Sequence, residues 1–401
     1  MMNVEKRPLG EVANVIRGVT FSRSEGETEE FAGALPVIRA GNVQDRLILD
    51  ADLVWIPGEK VSSKQIIKKN DLVMCTSSGS AEIVGKCARA EDDWNGSFGA
   101  FCVGIRANEN VCDSGYLFHF LRSPAFRSWS RKSGGANIKN IRKGELEEFK
   151  IPLPPLPEQR RIAAILDKAD AIRRKRQQAI RLTEEFLRSV FLDMFGDPVL
   201  NPKGWETRKL GELIEDGPQN GLYKHASDYG SGTPIIRIDS FYDGVVTGMS
   251  GLKRVRLDKK SQEKYSVQKD DILINRVNSR KYLGKCAIVP ELVEPTVFES
   301  NMMRFAVKKE VLHPIYLVSL LQHEYIRRQI LNRAKDAVNQ SSINQADVNS
   351  FEVRIPPMEL QTKFAEVKDR IFDMVIGLEE ATGRKNDLFN SLVQRAFRGE
   401  L

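Results

Sequence analysis

Long apolar runs are missing from this chain of 401 residues. The longest, Ile315 to Leu321, is broken by Ser319 and falls far short of the ~20 apolar residues that cross a bilayer. Glu5, Lys6 and Arg7 stand where a signal peptide would need an apolar stretch. These absences point to a soluble, cytoplasmic protein with no membrane partner. Cysteine is scarce too. Cys75, Cys87, Cys102, Cys112 and Cys286 form no CxxC pair and read as small buried apolar residues or free thiols. His119, His225, His313 and His323 have no ligand spacing, so no metal site is expected and structural or surface roles suit them better.

Catalytic motifs are equally absent. An adenine methyltransferase would need an Asn/Asp-Pro-Pro-aromatic tetrapeptide, and Asn201-Pro202-Lys203 fails that pattern. A phosphate-binding loop needs GxxxxGK[ST]. Gly79 and Gly85 are one residue too far apart, and Lys86 precedes Cys87. A magnesium nuclease needs an acid upstream of an acid-x-Lys pair. Glu148-Phe149-Lys150 and Glu366-Val367-Lys368 supply only the second part. No catalytic residue is expected.

What is present is repetition. From Pro157 to Phe195, Ile162, Ile165, Ala169, Ile172, Ala179, Phe186 and Val190 recur at steps of three and four, with Arg176 and Thr183 filling two slots. Leu166, Ile180, Leu187 and Met194 widen the stripe. This predicts a long helix with one apolar seam, roughly 38 residues and about 57 Å. From Glu359 to Arg398 the same rhythm returns in Phe364, Val367, Ile371, Met374, Leu378, Ala381, Leu388 and Leu392. FKIPLPPLPEQ (149–159) lies over FEVRIPPMELQ (351–361), and Phe195 over Phe397, both at an offset of 202. The chain is an internal duplication.

The halves share a plan. LGEVANVI (9–16) lies over LGELIEDG (210–217); the first reads as a short amphipathic piece and a turn. LPVIRAGNV (35–43) lies over TPIIRIDSF (233–241) as strand then loop. DLVMCTSSGSAEIVGKCA (71–88) lies over DDILINRVNSRKYLGKCAIV (270–289) as strand, loop, strand. AFCVGIRA (100–107) reads as another strand, and Tyr116 to Ser130 as a helix interrupted near Pro124. Gly134 to Asn137 reads as a flexible loop, and Pro154-Pro155 as a stiff joint. The boundaries expected are 1–152 and 199–355 for two globular domains, and 153–198 and 356–401 for two helical spacers. Each helix would leave its own domain and pair antiparallel with the other, giving a rod with a pseudo-two-fold axis. Arg173-Arg174-Lys175-Arg176 would approach Glu379-Glu380, unless the basic run is simply a solvated face.

A formal net charge of +7 suits a polyanionic partner. A shared frame with unlike loops suggests two domains doing one job on two targets. Half-sites on one face of a duplex lie about 34–36 Å apart or a multiple of it, which such a rod could span. Base reading needs Arg, Asn, Gln, Ser or Thr on loops, with Lys and Arg for phosphates. The densest such loop is Asn275, Arg276, Val277, Asn278, Ser279, Arg280 and Lys281, matched by Thr76, Ser77, Ser78, Gly79 and Ser80. Asn42 follows a strand in Arg39-Ala40-Gly41-Asn42, matched by Arg237-Ile238-Asp239-Ser240, and that repetition argues for a shared role, such as structure or phosphate contact, rather than base choice. Asn137, Lys139, Gln340 and Ser341 sit in matched loops before the joint, suited to phosphate contact. A solvated turn would use the same residues. Arg161, Lys168, Arg181 and Arg188 on the first helix offer a subunit-contact face or a solvated one.

These residues resemble a known family, the specificity subunit of type I restriction-modification systems. IPLPPLPEQRRIAAILDKADAI, LRSVFLDMFG, NPKGWETRKLGEL, DDILINR with LGKCAIV, and LFNSLVQRAFRGEL carry the resemblance across essentially the whole chain. The second spacer departs from it, with IPPMELQ where the first has PLPPLPEQ. The resemblance implies an α+β fold: two pseudo-symmetric target-recognition domains with mixed curled sheets, separated by a long antiparallel two-helix coiled coil. It implies a non-catalytic chain reading a bipartite, asymmetric site in double-stranded DNA. Two modification (methyltransferase) subunits and restriction subunits would be its partners. S-adenosylmethionine, ATP and magnesium would reside on those partners, with no cofactor on this chain. A stand-alone two-headed DNA-binding or architectural protein is the rival reading; it would bind tightly alone and leave no methylation phenotype.

Overall fold

The computed structural model describes residues 5–80, 82–132, 139–241, 244–246, 248–338 and 340–398; of these, the side chains of 139, 376–391, 394 and 398 lie outside the description. The chain forms two compact units: residues 1–178 with 378–401, and residues 179–377. Each long helix therefore contributes to both.

Unit one begins with β1 (Lys6–Pro8), α1 (Leu9–Val12), β2 (Ala13–Arg17), β3 (Ala34–Ile38), β4 (Val54–Pro57), β5 (Leu72–Cys75), β6 (Ser77–Ser78), β7 (Cys87–Arg89), β8 (Ser97–Phe98) and β9 (Cys102–Ala107). Then come α2 (Ser114–Arg122), α3 (Pro124–Lys132), β10 (Lys139–Asn140), α4 (Lys143–Glu148), β11 (Lys150–Pro152) and the long α5 (Leu156–Phe195). The main sheet, β2-β9-β5-β7, is antiparallel throughout. A second sheet, β4-β3-β8, is mixed, because β3 pairs parallel with β8. β5 is buried along its whole length, which is why Leu72-Val73-Met74-Cys75 reads as an unbroken apolar run. The short amphipathic piece is α1, and the turn expected after it is instead the strand β2: Ala13 and Val15 face the core and Asn14 faces water.

Unit two repeats the order with β12 (Glu206–Lys209), α6 (Leu210–Leu213), β13 (Ile214–Asn220), β14 (Tyr229–Ile236), β15 (Arg254–Val255), α7 (Lys259–Tyr265), β16 (Ile272–Asn275), β17 (Val277–Asn278), β18 (Cys286–Ile288), β19 (Val297–Phe298) and β20 (Met302–Val307). It continues with α8 (Pro314–Leu321), α9 (Glu324–Arg333), β21 (Lys335–Asp336), β22 (Ser341–Ser342), α10 (Gln345–Asn349), β23 (Glu352–Ile355) and α11 (Met358–Arg398). Its sheets β13-β20-β16-β18 and β15-β14-β19 match those of unit one strand for strand. The fold is α+β, with the helix–helix interruption at Ser123–Pro124 as expected and an analogous break at His323.

The long helices add opposite ends to each core. In unit one, Ile162, Ala163 and Leu166 of α5 share a cluster with Val393 and Ala396 of α11, and the Phe397 ring lies 5.3 Å from Tyr116 and 5.0 Å from Phe120. In unit two, Phe191 and Phe195 from the end of α5 meet Phe364 from the start of α11; the Phe195 ring is 4.7 Å from Tyr316. The expected seam is buried near these ends, whereas Ile172 and Phe186 are exposed. Arg173 and Arg174 pair with the buried Asp170, at 2.9 and 3.4 Å. The expected approach to Glu379-Glu380, and the loop at 134–137, lie outside the described residues.

One buried glutamine fixes each helix to its domain. Gln159 accepts from Asp113 N at 2.9 Å and donates to the carbonyls of Val111 (3.1 Å) and Pro154 (2.8 Å). Gln361 repeats this with His313 N (2.8 Å), Val311 (3.1 Å) and Pro356 (2.8 Å). These bonds explain why the second spacer lacks the last proline and glutamate of PLPPLPEQ yet retains the glutamine. Glu158 makes only a surface pair with Arg161.

Candidate nucleic-acid interface

In both units the two polar loops that stood far apart in sequence come together. β6 pairs antiparallel with β10, placing Ser77 opposite Asn140 and Ser78 opposite Lys139. β17 pairs with β22, placing Val277 opposite Ser342 and Asn278 opposite Ser341, and β21 extends this ribbon. A third segment joins each, the turn between β8 and β9 or between β19 and β20. The Phe101 carbonyl accepts from Thr76 N (2.9 Å) and Ser77 N (3.2 Å); the Asn301 carbonyl accepts from Arg276 N (2.8 Å) and Val277 N (3.2 Å). Backbone bonds thus tie three loops into one polar rim per unit.

Behind the rim, an arginine from the second helix holds the loop. Arg127 of α3 donates to the carbonyls of Val84 (2.7 Å) and Glu82 (2.8 Å). Arg327 of α9 donates to those of Leu283 (2.5 Å), Arg280 (2.5 Å) and Lys281 (3.1 Å). The repeated Gly-Lys-Cys has a steric cause. Gly85 and Gly284 adopt positive φ, and a Cβ would stand 2.5 Å from Ser130 Oγ in one and 2.3 Å from Ile330 Cδ1 in the other.

The candidate residues divide by orientation. Ser279, Arg280, Lys281, Ser80 and Gln340 are exposed, while Arg276, Asn278, Ser77 and Ser78 are half-buried. Arg280 pairs with Asp336, and the Lys281 ammonium lies 5.2 Å from the Tyr282 ring. Four candidates face inward. Thr76 donates to the Phe101 carbonyl at 3.2 Å. Asn42 donates to the carbonyls of Ile48 (3.1 Å) and Ala51 (2.8 Å). Ser341 bonds Asp336 Oδ1 at 2.5 Å. Asn275 ends the buried run of β16 and is fully enclosed. Each of these four side chains is buried within its unit. Buried Asn275 Oδ1 and Arg276 Nε have no hydrogen-bond partner among the described residues. Asn137 and the Lys139 side chain lie outside the described residues. The matched Arg39 and Arg237 differ: Arg39 is exposed, whereas Arg237 pairs at 3.2 Å with the nearly buried Glu299, where unit one has Gly99.

On α5, Arg161, Lys168, Arg181 and Arg188 are all exposed; Arg161 bonds Glu158 at 2.8 Å. The five cysteines are buried and unpaired, and burial pushes the Cys87, Cys102, Cys112 and Cys286 thiols up to about 12. No cluster of metal-binding side chains occurs among the described residues, and no described helix is long and apolar enough to cross a membrane. Residue-type reasoning missed Phe101, Asn301, Arg127 and Arg327. Unlike residues at the matched tip, Ala100-Phe101-Cys102 against Ser300-Asn301-Met302, were the available signal for the first pair.

Comparison with known proteins agrees with this architecture. The family of the type I restriction modification DNA specificity domain matches twice, at residues 1–182 and 202–388. The chain is 30% identical over 411 residues to the type I restriction enzyme StySPI specificity subunit of Salmonella potsdam, covering 98% of this chain and 88% of that one. It is 30% identical over 412 residues, with the same coverage, to the EcoKI specificity subunit of Escherichia coli K12. The solved structure of a type I restriction-modification S subunit from M. genitalium shares the fold at a TM-score of 0.63 and 14% identity, over 99% of this chain and 97% of that one. Two copies of one rim on a duplicated frame, matched across nearly its full length, make this chain a member of the type I restriction-modification specificity-subunit family.

Proposed function

We propose that the chain is the non-catalytic DNA-recognition subunit of a type I restriction-modification enzyme. Each rim reads one half of a bipartite, asymmetric site in double-stranded DNA, unit one taking the 5′ half. The long helices set the gap between half-sites and dock two methyltransferase subunits, through which restriction subunits join. S-adenosylmethionine, ATP and magnesium belong to those partners, and the assembly works in the cytoplasm. One observation carries this reading: the same three-loop rim is built twice by the same backbone bonds, with unlike side chains. A duplicated frame suits a shared task, and changed side chains suit two different base sequences. Exposed Arg161, Lys168, Arg181 and Arg188 suit a protein partner along α5.

The test is single-molecule methylation sequencing of host DNA with and without the gene. Loss of an interrupted, asymmetric adenine motif on deletion is expected. An unchanged methylation pattern in a host whose methyltransferase subunit is expressed would reject the reading.

A further inference from the structure

We propose that Phe101 is a base-contacting residue of the unit-one rim and recognises a thymine through its 5-methyl group. This rests on the DNA-reading role above and adds to it a residue, a base and a type of contact. Phe101 is 65% exposed. Its backbone is tightly held: its carbonyl takes Thr76 N, Ser77 N and Thr76 Oγ1 at 2.9, 3.2 and 3.2 Å, and Cys102 N closes the turn on Gly99 O at 2.8 Å. A rigid turn thus keeps a large apolar ring in water on a segment bonded through its backbone to the half-exposed Ser77.

The ring narrows the choice of ligand. It has no donor or acceptor, so it cannot bind phosphate or read a polar base edge. The apolar feature that a base presents in the major groove is the thymine methyl. Unit two repeats the backbone bonds of the turn, yet its tip is Asn301, whose amide can pair with polar base edges. An apolar tip in one unit and an amide in the other, on one frame, is what two unlike half-sites require. The other use of such a ring is as a wedge between base steps, which bends the duplex and does not depend on the methyl.

The experiment uses the complex of this chain with its modification subunits. The wild-type motif is established first by methylation sequencing. Binding is then measured on duplexes in which each thymine of the unit-one half-site is replaced by uracil, which removes only the methyl. The wild type is expected to lose about fourfold in affinity at one position, which is about 0.8 kcal/mol at 1.4 kcal/mol per tenfold. Phe101→Ala should show the same loss on the thymine duplex and no further loss with uracil. Phe101→Leu, which keeps an apolar tip, should retain the sensitivity and guards against a folding defect. The proposal is overturned if no thymine in that half-site is methyl-sensitive. It is equally overturned if Phe101→Ala keeps the sensitivity, including the case where it weakens all duplexes alike as a lost wedge would. A wild-type complex that methylates no interrupted motif would instead sink the DNA-reading role itself, before any variant is made.

Discussion

The two units agree in their buried bonds and differ at their rims. Gln159 and Gln361 make the same three hydrogen bonds, and Tyr116 and Tyr316 donate to the equivalent carbonyls of Pro152 and Arg354. Arg127 and Arg327 hold equivalent loops. Against this, Ser77-Ser78 correspond to Val277-Asn278, Phe101 to Asn301, and Gly99 to Glu299. Where position is set by backbone and buried polar groups, exposed side chains can change without moving the loop. That separation lets one fold carry two different rims.

The largest difference should come from the matched helix-end phenylalanines. Phe195 is 2% exposed among Phe191, Tyr316 and Phe364, whereas Phe397 is only half-buried against Tyr116 and Phe120. Phe195→Ala should cost on the order of 4 kcal/mol and Phe397→Ala about half that. Chemical denaturation followed by a probe in each unit reads both; equal losses would contradict the packing described. The glutamines should behave alike instead. Gln159→Leu and Gln361→Leu each strand one buried N–H and two carbonyls, and each should cost about 2–3 kcal/mol. A large inequality would show that the two joints are not equivalent.

The rims should part again in salt dependence. Removing the exposed Lys281 should lower the slope of log affinity against log salt by about 1, as loss of one phosphate contact does. Ser80→Ala in unit one should leave the slope unchanged. Titrating DNA binding of the assembled complex at several salt concentrations distinguishes them, and equal slopes for both variants would remove Lys281 from the interface.

How far the sequence reveals this depends on which property carries the information. The duplication and long helices were legible because offset and heptad rhythm survive in residue order. β5 and β16 were legible as unbroken apolar runs. Orientation was not. Asn275 looks like a base reader by type, but it is the last residue of β16, a strand buried along its whole length. Thr76, Asn42 and Ser341 are polar residues consumed by loop carbonyls and a carboxylate. Phe101 was hidden by a two-residue boundary error: β9 begins at Cys102, not Ala100, and that shift moves the ring from a strand face to a turn tip. The convergence of β6 with β10 depends on tertiary pairing between segments about 60 residues apart, which no local pattern encodes.

Acid should separate the units most subtly. In unit two, His313 Nδ1 accepts from Ile315 N at 3.3 Å and His323 Nδ1 from Tyr325 N at 3.1 Å, capping α8 and α9. Burial lowers both pKa values below the ordinary 6.5. The unfolded chain therefore takes up protons first. The contribution of these histidines is complete above about pH 6.5 and is lost as the pH falls through that value toward their folded pKa values. In unit one the corresponding cap on α2 is Asp113, a carboxylate that accepts from Tyr116 N at 2.9 Å. His323→Asn keeps a capping acceptor and removes the titration. It should flatten the stability profile of unit two as the pH falls below about 6.5, measured by thermal unfolding at a series of pH values. A steeper profile in the His323→Asn protein would mean that the imidazole is protonated in the folded state and that the cap is made some other way.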